Sequence, residues 1–325
     1  QILDLHAILS YPVAAIICQI VLGRTFVFIP FVFGSVVDMI YTLRSDFFIE
    51  ELHHNEWAMD MGNAFDGRDK NGEDLDLDNV LFRALQNPED LEHGTIDAVL
   101  LAGDLWTGGM ETTLTALRWG IIYLMAHPSV QEKLHEEVFA RYPRDSGRFE
   151  WSSRRTDLPY LCAVTDEILR LANILPWNIP HRATETFTIG DKMIKRGTNL
   201  MFAYSAIHHD ESLFPDPYAF NPERFLRRRK PTEEEAAKWS EAGKGIKDFI
   251  EYVKDENLNP FGMGLRGCPG ELLARKELFV FLIVLSQRYR FSADESRPPC
   301  MERPMGMTSA PANYLCRVER REDWY

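Results

Sequence analysis

Apolar residues recur at helical spacing through most of the chain, and only short stretches alternate as strands require. Residues 95–125 can form one helix of about 30 residues, roughly 45 Å long at 1.5 Å per residue, enough to cross a domain. His127 and Pro128 end it, and Val130, Leu134 and Val138, spaced i, i+4, i+8, give the next helix its apolar stripe. A third helix is predicted over about 158–172 and a last long one over about 269–287. Phe187-Thr188-Ile189, a Gly190-Asp191 turn, Met193-Ile194 and Asn199-Leu200-Met201-Phe202 read as short strands, so only small sheets are expected. Pro215, Pro217 and Pro222 make 213–225 an irregular meander, because proline supplies no N–H to a ladder. The polar stretch 231–255 is helical by propensity, and a Pro-rich coil after residue 287 leads to a hairpin-like tail. The first sixty residues suggest two or three apolar helices, and 62–78, acidic and rich in Gly and Asn, reads as an exposed loop. The pattern predicts a mainly α chain with small β-sheets in one domain.

Composition narrows the function. The 325 residues are 45% hydrophobic and 26% charged, the balance of a globular chain with a sizeable core. A formal charge of −13 argues against nucleic acid as a partner. Two local exceptions stand out, Arg224 with Arg227 to Lys230, and Arg275 with Lys276. Five cysteines, Cys18, Cys162, Cys268, Cys300 and Cys316, include no C-x-x-C pair, so neither zinc nor a disulfide framework is expected, and a reducing compartment is the default. The most apolar stretch, 11–37, is broken by Gln19, Arg24 and Pro30 and reads as buried helix, not a membrane span. Nothing after Gln1 has the charged start of a cleavable signal, and the N-terminus is expected to be missing.

The chemistry concentrates in three places. Residues 260–271 place Gly262, Gly264 and Gly267 just before Cys268, which lets backbone approach a flat ligand. A helix beginning beside Cys268 favours a thiolate there. The bland alternative is a small buried hydrophobe. A cysteine phosphatase would need C-x5-R, and Arg275 gives C-x6-R. Second, Gly108 and Gly109 sit inside the long helix at a cost of about 1 kcal/mol each relative to alanine, which signals either a helix–helix contact or a kink. Glu111 and Thr112 beside them offer a carboxylate and a hydroxyl able to relay protons. Third, Glu167 and Arg170 share one helix face, a pair that contributes only about 0.3–0.5 kcal/mol if exposed.

Together these residues resemble the cytochrome P-450 family, of animal microsomal type. F-x-x-G-x-R-x-C-x-G is met at Phe261, Gly264, Arg266, Cys268 and Gly270; A/G-G-x-D/E-T-T/S at 108–113; E-x-x-R at Glu167 and Arg170. Asn221 to Phe225 is similar to the family's meander, which brings in Arg224. The resemblance implies the C-terminal two-thirds of a cytochrome P-450 fold: helices and a lid-region remnant over 1–94, the long helix and its followers over 95–185, and small sheets, meander, cysteine loop, last helix and hairpin over 186–325. It implies heme b with iron on the Cys268 thiolate. Phe261 would pack nearby, Arg266 and His181 would meet the propionates, and Gly264 and Gly270 would shape the loop. Glu111 and Thr112 would be catalytic, and Glu167, Arg170 and Arg224 a buried structural triad. Leu105, Trp106, Gly108, Trp177, Asn178 and Thr308 would face substrate, with Leu101 and Asp104 nearby. The implied activity inserts one oxygen atom of dioxygen into a small apolar substrate, xenobiotic, steroid or fatty-acid-like. Electrons would come from an NADPH-dependent flavoprotein reductase docking at Arg275 and Lys276. The full-length parent would sit on the cytosolic face of the endoplasmic reticulum membrane through an anchor absent here. The missing N-terminal third motivates an alternative, a truncated or degenerate non-catalytic haem-thiolate chain. An isomerase or dehydratase that uses no dioxygen is a third reading.

Overall fold

A computed structural model describes residues 2–4, 6, 9–10, 13–14, 17, 95–143, 157–230, 232, 249–303 and 306–321. Most of the first sixty residues, where two or three helices are expected, the acidic loop at 62–78 and the polar stretch 233–248 lie outside the described residues, as do Cys18 and the side chain of Leu101. The chain divides into two compact units, Leu5–Leu114 and a second made of Gln1–Asp4 with Thr115–Tyr325.

Helix α1, Thr95–Ala126, is 32 residues long and runs through the division between the units. Within the Leu5–Leu114 unit, Leu9, Val13 and Ile17 are buried at i, i+4, i+8 spacing. A Cβ on Gly109 would lie 2.7 Å from the Ile17 Cδ1, so this glycine permits close packing.

In the second unit, Pro128 opens α2 (Pro128–Arg141), where a missing N–H costs nothing. The predicted stripe is placed as expected, with Leu134 and Val138 buried and Val130 half-buried. Helix α3 (Pro159–Ala172) is buried along almost its whole length. Its N-cap side chain, Leu158, cannot accept a hydrogen bond, and Glu137 on α2 does so instead: its carboxylate accepts from the N–H of Tyr160 and of Leu161, both at 2.8 Å. Burial pushes the Glu137 carboxyl up to about 7, against the opposing pull of those two bonds. The core forms where Leu117, Ile122, Leu134, Leu161, Val164 and Ile283, all 0% exposed, meet from α1, α2, α3 and the last long helix.

The sheets are small and antiparallel. Strand β1 (Ile2–Asp4) is the edge of a three-stranded sheet of order β1-β9-β8, completed by β8 (Tyr289–Ala293) and β9 (Leu315–Arg320). β2 (His181–Arg182) pairs with β5 (Asn199–Leu200), and β3 (Phe187–Ile189) with β4 (Lys192–Ile194). β6 (Leu226–Arg229) pairs with β7 (Phe249–Tyr252). A one-turn-plus helix α4 (Tyr204–His208) precedes the meander, and α5 (Glu271–Arg288) follows the cysteine loop.

Two expectations change. Residues 2–4, inside the stretch expected to hold two or three helices, form a strand, because three residues show no period and the partner strand supplies the pairing. Residues 249–252, placed in a helical stretch, are β7: Phe-Ile-Glu-Tyr suits a pleated surface, and Glu251 lies opposite Arg227. Arg227, Arg228 and Arg229 of the basic cluster thus stand on a strand. Among the described residues, no helix is long and apolar enough to cross a membrane.

Candidate functional site

The loop before α5 is built by two left-handed glycines, Gly262 (φ 78°) and Gly264 (φ 71°), a conformation that side chains with a Cβ rarely adopt. Between them and the cysteine, Gly264–Arg266 makes a single 3-10 turn. The Cys268 N–H closes the loop on the Phe261 carbonyl at 2.8 Å, and the Cys268 carbonyl accepts from the Glu271 N–H at 3.4 Å. Backbone therefore fixes the cysteine on both sides, two residues before Gly270, the N-cap of an 18-residue helix whose positive end favours a thiolate. Cys268 is exposed, and so are Met263, Leu265 and Arg266. Among the described residues, the Arg266 side chain has no hydrogen-bond or ion-pair partner. An outward thiol, an apolar rim and an unpaired guanidinium fit a flat apolar group that carries a metal and acidic arms.

Arg275 has a different use from the expected docking of a partner. Its Nη1 donates to Asp166 Oδ1 at 2.7 Å, its Nε to Glu271 Oε1 at 2.8 Å, and its guanidinium lies 5.0 Å from the centre of the Phe261 ring. The Tyr252 hydroxyl donates to the same Asp166. Burial works against the Arg275 charge, but Asp166 and Glu271 outweigh it and raise its pKa; burial and then Asp166 raise that of Tyr252. Arg275 thus ties the cysteine loop to α3, and Lys276 stays exposed.

Glu167, next to Asp166 on α3, and Arg170, about one turn further on, are both 0% exposed. Arg170 holds Glu167 through two bonds, Nε to Oε2 at 2.8 Å and Nη2 to Oε1 at 2.9 Å. Arg224 Nε reaches the same Oε1 at 3.1 Å. Arg170 also donates to the carbonyls of His208 and Pro217, each at 2.7 Å, and so sets the path of the meander.

Glu111 and Thr112 lie in the Leu5–Leu114 unit, and Cys268 in the other. Both are half-buried, and the Thr112 hydroxyl donates to the Gly108 carbonyl at 2.6 Å. Nearby on α1, Trp106 is buried, Leu105 half-buried, and Asp104 and Gly108 exposed. His181 is half-buried, its Nδ1 bonded to the Ile179 carbonyl at 2.7 Å and its ring edge-on to Phe202. Trp177 is exposed, and Asn178 is left-handed (φ 55°) with its side-chain oxygen on the Ile179 N–H. Thr308 is brought alongside this segment by the next residue, whose N–H donates to the Ile174 carbonyl at 2.8 Å.

The sequence reading passed over what holds that turn. The Trp119 indole donates to the Ser309 carbonyl at 2.7 Å, and Arg118 Nη2 to the Pro311 carbonyl at 2.8 Å. A cation inside the apolar run 116–125 was the available signal. Nothing local could have revealed Asp166 with Arg275.

The sequence profile described as Cytochrome P450 matches residues 43–317. The chain is 38% identical over 237 residues to a 3-ketosteroid oxygenase of Caenorhabditis elegans, covering 72% of this chain and 37% of that protein. It is 34% identical over 258 residues to a steroid 17-alpha-hydroxylase/17,20 lyase of Ictalurus punctatus, covering 77% and 46%. To a cytochrome P450 1A1 of Microgadus tomcod it is 34% identical over 232 residues, covering 71% and 41%. The chain thus spans less than half the length of these three relatives. With a helical fold, small antiparallel sheets and this match over most of its residues, the chain belongs to the cytochrome P450 family.

Proposed function

We propose that this chain is the haem-thiolate part of a monooxygenase that inserts one oxygen atom of dioxygen into a small apolar organic substrate. The observation that carries the reading is the exposed Cys268 at the end of a loop with two left-handed glycines and an unpaired Arg266. Heme b bound through the Cys268 thiolate would supply dioxygen activation, the sulfur's electron density favouring O–O cleavage. Arg266 and His181 hold the carboxylate arms; with Nδ1 of His181 turned to a carbonyl, Nε2 is the nitrogen left for an arm. Phe261 backs the loop, and Gly264 and Gly270 keep its face clear.

Glu111 and Thr112 deliver protons, Thr112 from a hydroxyl anchored on the Gly108 carbonyl. Glu167, Arg170 and Arg224 hold the scaffold behind the loop. Leu105, Trp106, Gly108, Trp177, Asn178 and Thr308 face the substrate, and the steroid enzymes among the relatives support a flat, steroid-like one. Electrons come from an NADPH-dependent flavoprotein reductase, and the full-length parent resides at the endoplasmic reticulum membrane.

The test is the reduced carbon-monoxide difference spectrum of the full-length parent and of Cys268→Ser. The thiolate-type band is expected in the parent and absent from the variant; an unchanged band in the variant overturns the ligand assignment. Little haem retained by the purified 325-residue chain, with no product when reductase and candidate steroids are supplied, would favour the non-catalytic reading, which the short span on its relatives motivates. Product formed without any reductant would favour an isomerase or dehydratase.

A further inference from the structure

Arg303 carries a charge that its contacts leave unanswered. Its Nη1 donates to Nε2 of His209 at 3.2 Å and its Nη2 to the Tyr123 hydroxyl at 3.4 Å, both uncharged acceptors at long range. Its guanidinium lies 5.8 Å from the centre of the Trp119 ring. Arg170, Arg224, Arg275 and Arg321 each bind a carboxylate; among the described residues Arg303 binds none. His209 is held as a neutral acceptor: its Nδ1–H donates to the Ser205 carbonyl at 2.9 Å, which leaves the Nε2 lone pair toward Arg303. Burial, which lowers the His209 pKa, keeps it in that form.

The guanidinium faces a cleft of about 470 Å³, bounded by α4 and by Trp177 and Tyr218, with no carboxylate among the described residues of its lining. That volume is in the range of small-ligand sites. Trp177 is 49% and Tyr218 78% exposed, so two aromatic side chains stand beside an unpaired cation. The Tyr218 ring is steadied by stacking on His209 at 5.0 Å.

We propose that this cleft binds an aromatic carboxylate, its oxygens forked on Arg303 and its ring against Trp177 and Tyr218. A planar guanidinium matches a carboxylate through two parallel bonds, which neither His209 nor Tyr123 can offer. The site shares Trp177 with the substrate-facing segment but does not rest on haem binding.

The test is calorimetric titration of the 325-residue chain with benzoate, with benzamide as the uncharged analogue of the same shape, and with acetate as a carboxylate without a ring. Benzoate is expected to bind about tenfold or more tightly than either. Arg303→Gln should weaken benzoate by about tenfold, and Trp177→Ala by several-fold. Trp177 is exposed, so that variant keeps the fold, as circular dichroism would verify, and separates lost ligand contact from lost structure. Benzamide equal to benzoate, acetate equal to benzoate, no measurable binding, or full affinity in folded Arg303→Gln would each overturn the proposal.

Discussion

His208 is 1% exposed, and neither of its ring nitrogens has a hydrogen-bond partner. Burial first, then the nearby charge of Arg170, push its pKa down from 6.5 to about 4. The folded chain therefore holds it neutral while the unfolded chain takes up a proton below about 6.5. Its contribution to stability is present above that pH and is lost as pH falls from 6.5 to about 4, a loss of about 3 kcal/mol at most. Glu137 has the opposite sign: its raised pKa makes the folded state less favourable as pH rises from 4.5 through about 7. Comparing the chain with His208→Asn isolates the histidine. Urea unfolding at several pH values should show the variant with a flatter loss on the acid side; parallel curves would remove His208 as the cause.

At the scale of elements, the junction of α2 with α3 depends on one side chain lent by a neighbour. Glu137→Ala should cost about 1.5–3 kcal/mol, the range for hydrogen bonds to a charged group, and amide exchange should accelerate first at Tyr160 and Leu161. Uniform acceleration along α3 would argue against a capping role. The long helices were legible in the sequence, because apolar spacing and the proline at 128 are local signals, whereas the five residues of α4 were not. The cysteine loop was legible for the same reason: its glycines lie within a few residues of Cys268. Strands β1, β6 and β7 were not, since three or four residues show no period and their partners are remote. The use of Arg275 was also hidden, because Asp166 lies 109 positions away and no spacing rule joins them.

For the molecule as a whole, α3 and the meander are joined through Arg170, which binds Glu167 and three backbone carbonyls with no exposed surface. Arg170→Met should lower global stability by about 3–5 kcal/mol by leaving Glu167 buried with one cation fewer. Lys133→Ala, which breaks a pair exposed by more than half on both sides, should change it by less than about 1 kcal/mol. Equal effects in chemical denaturation would contradict this ranking. The β1-β9-β8 sheet has a consequence for synthesis. Ile2 pairs with Arg317, so a strand made early in this stretch of chain has its partner made much later. Bringing such distant segments together costs about 5 kcal/mol in chain entropy on a logarithmic length law. Until β9 has emerged from the ribosome, Ile2 to Asp4 cannot join their sheet.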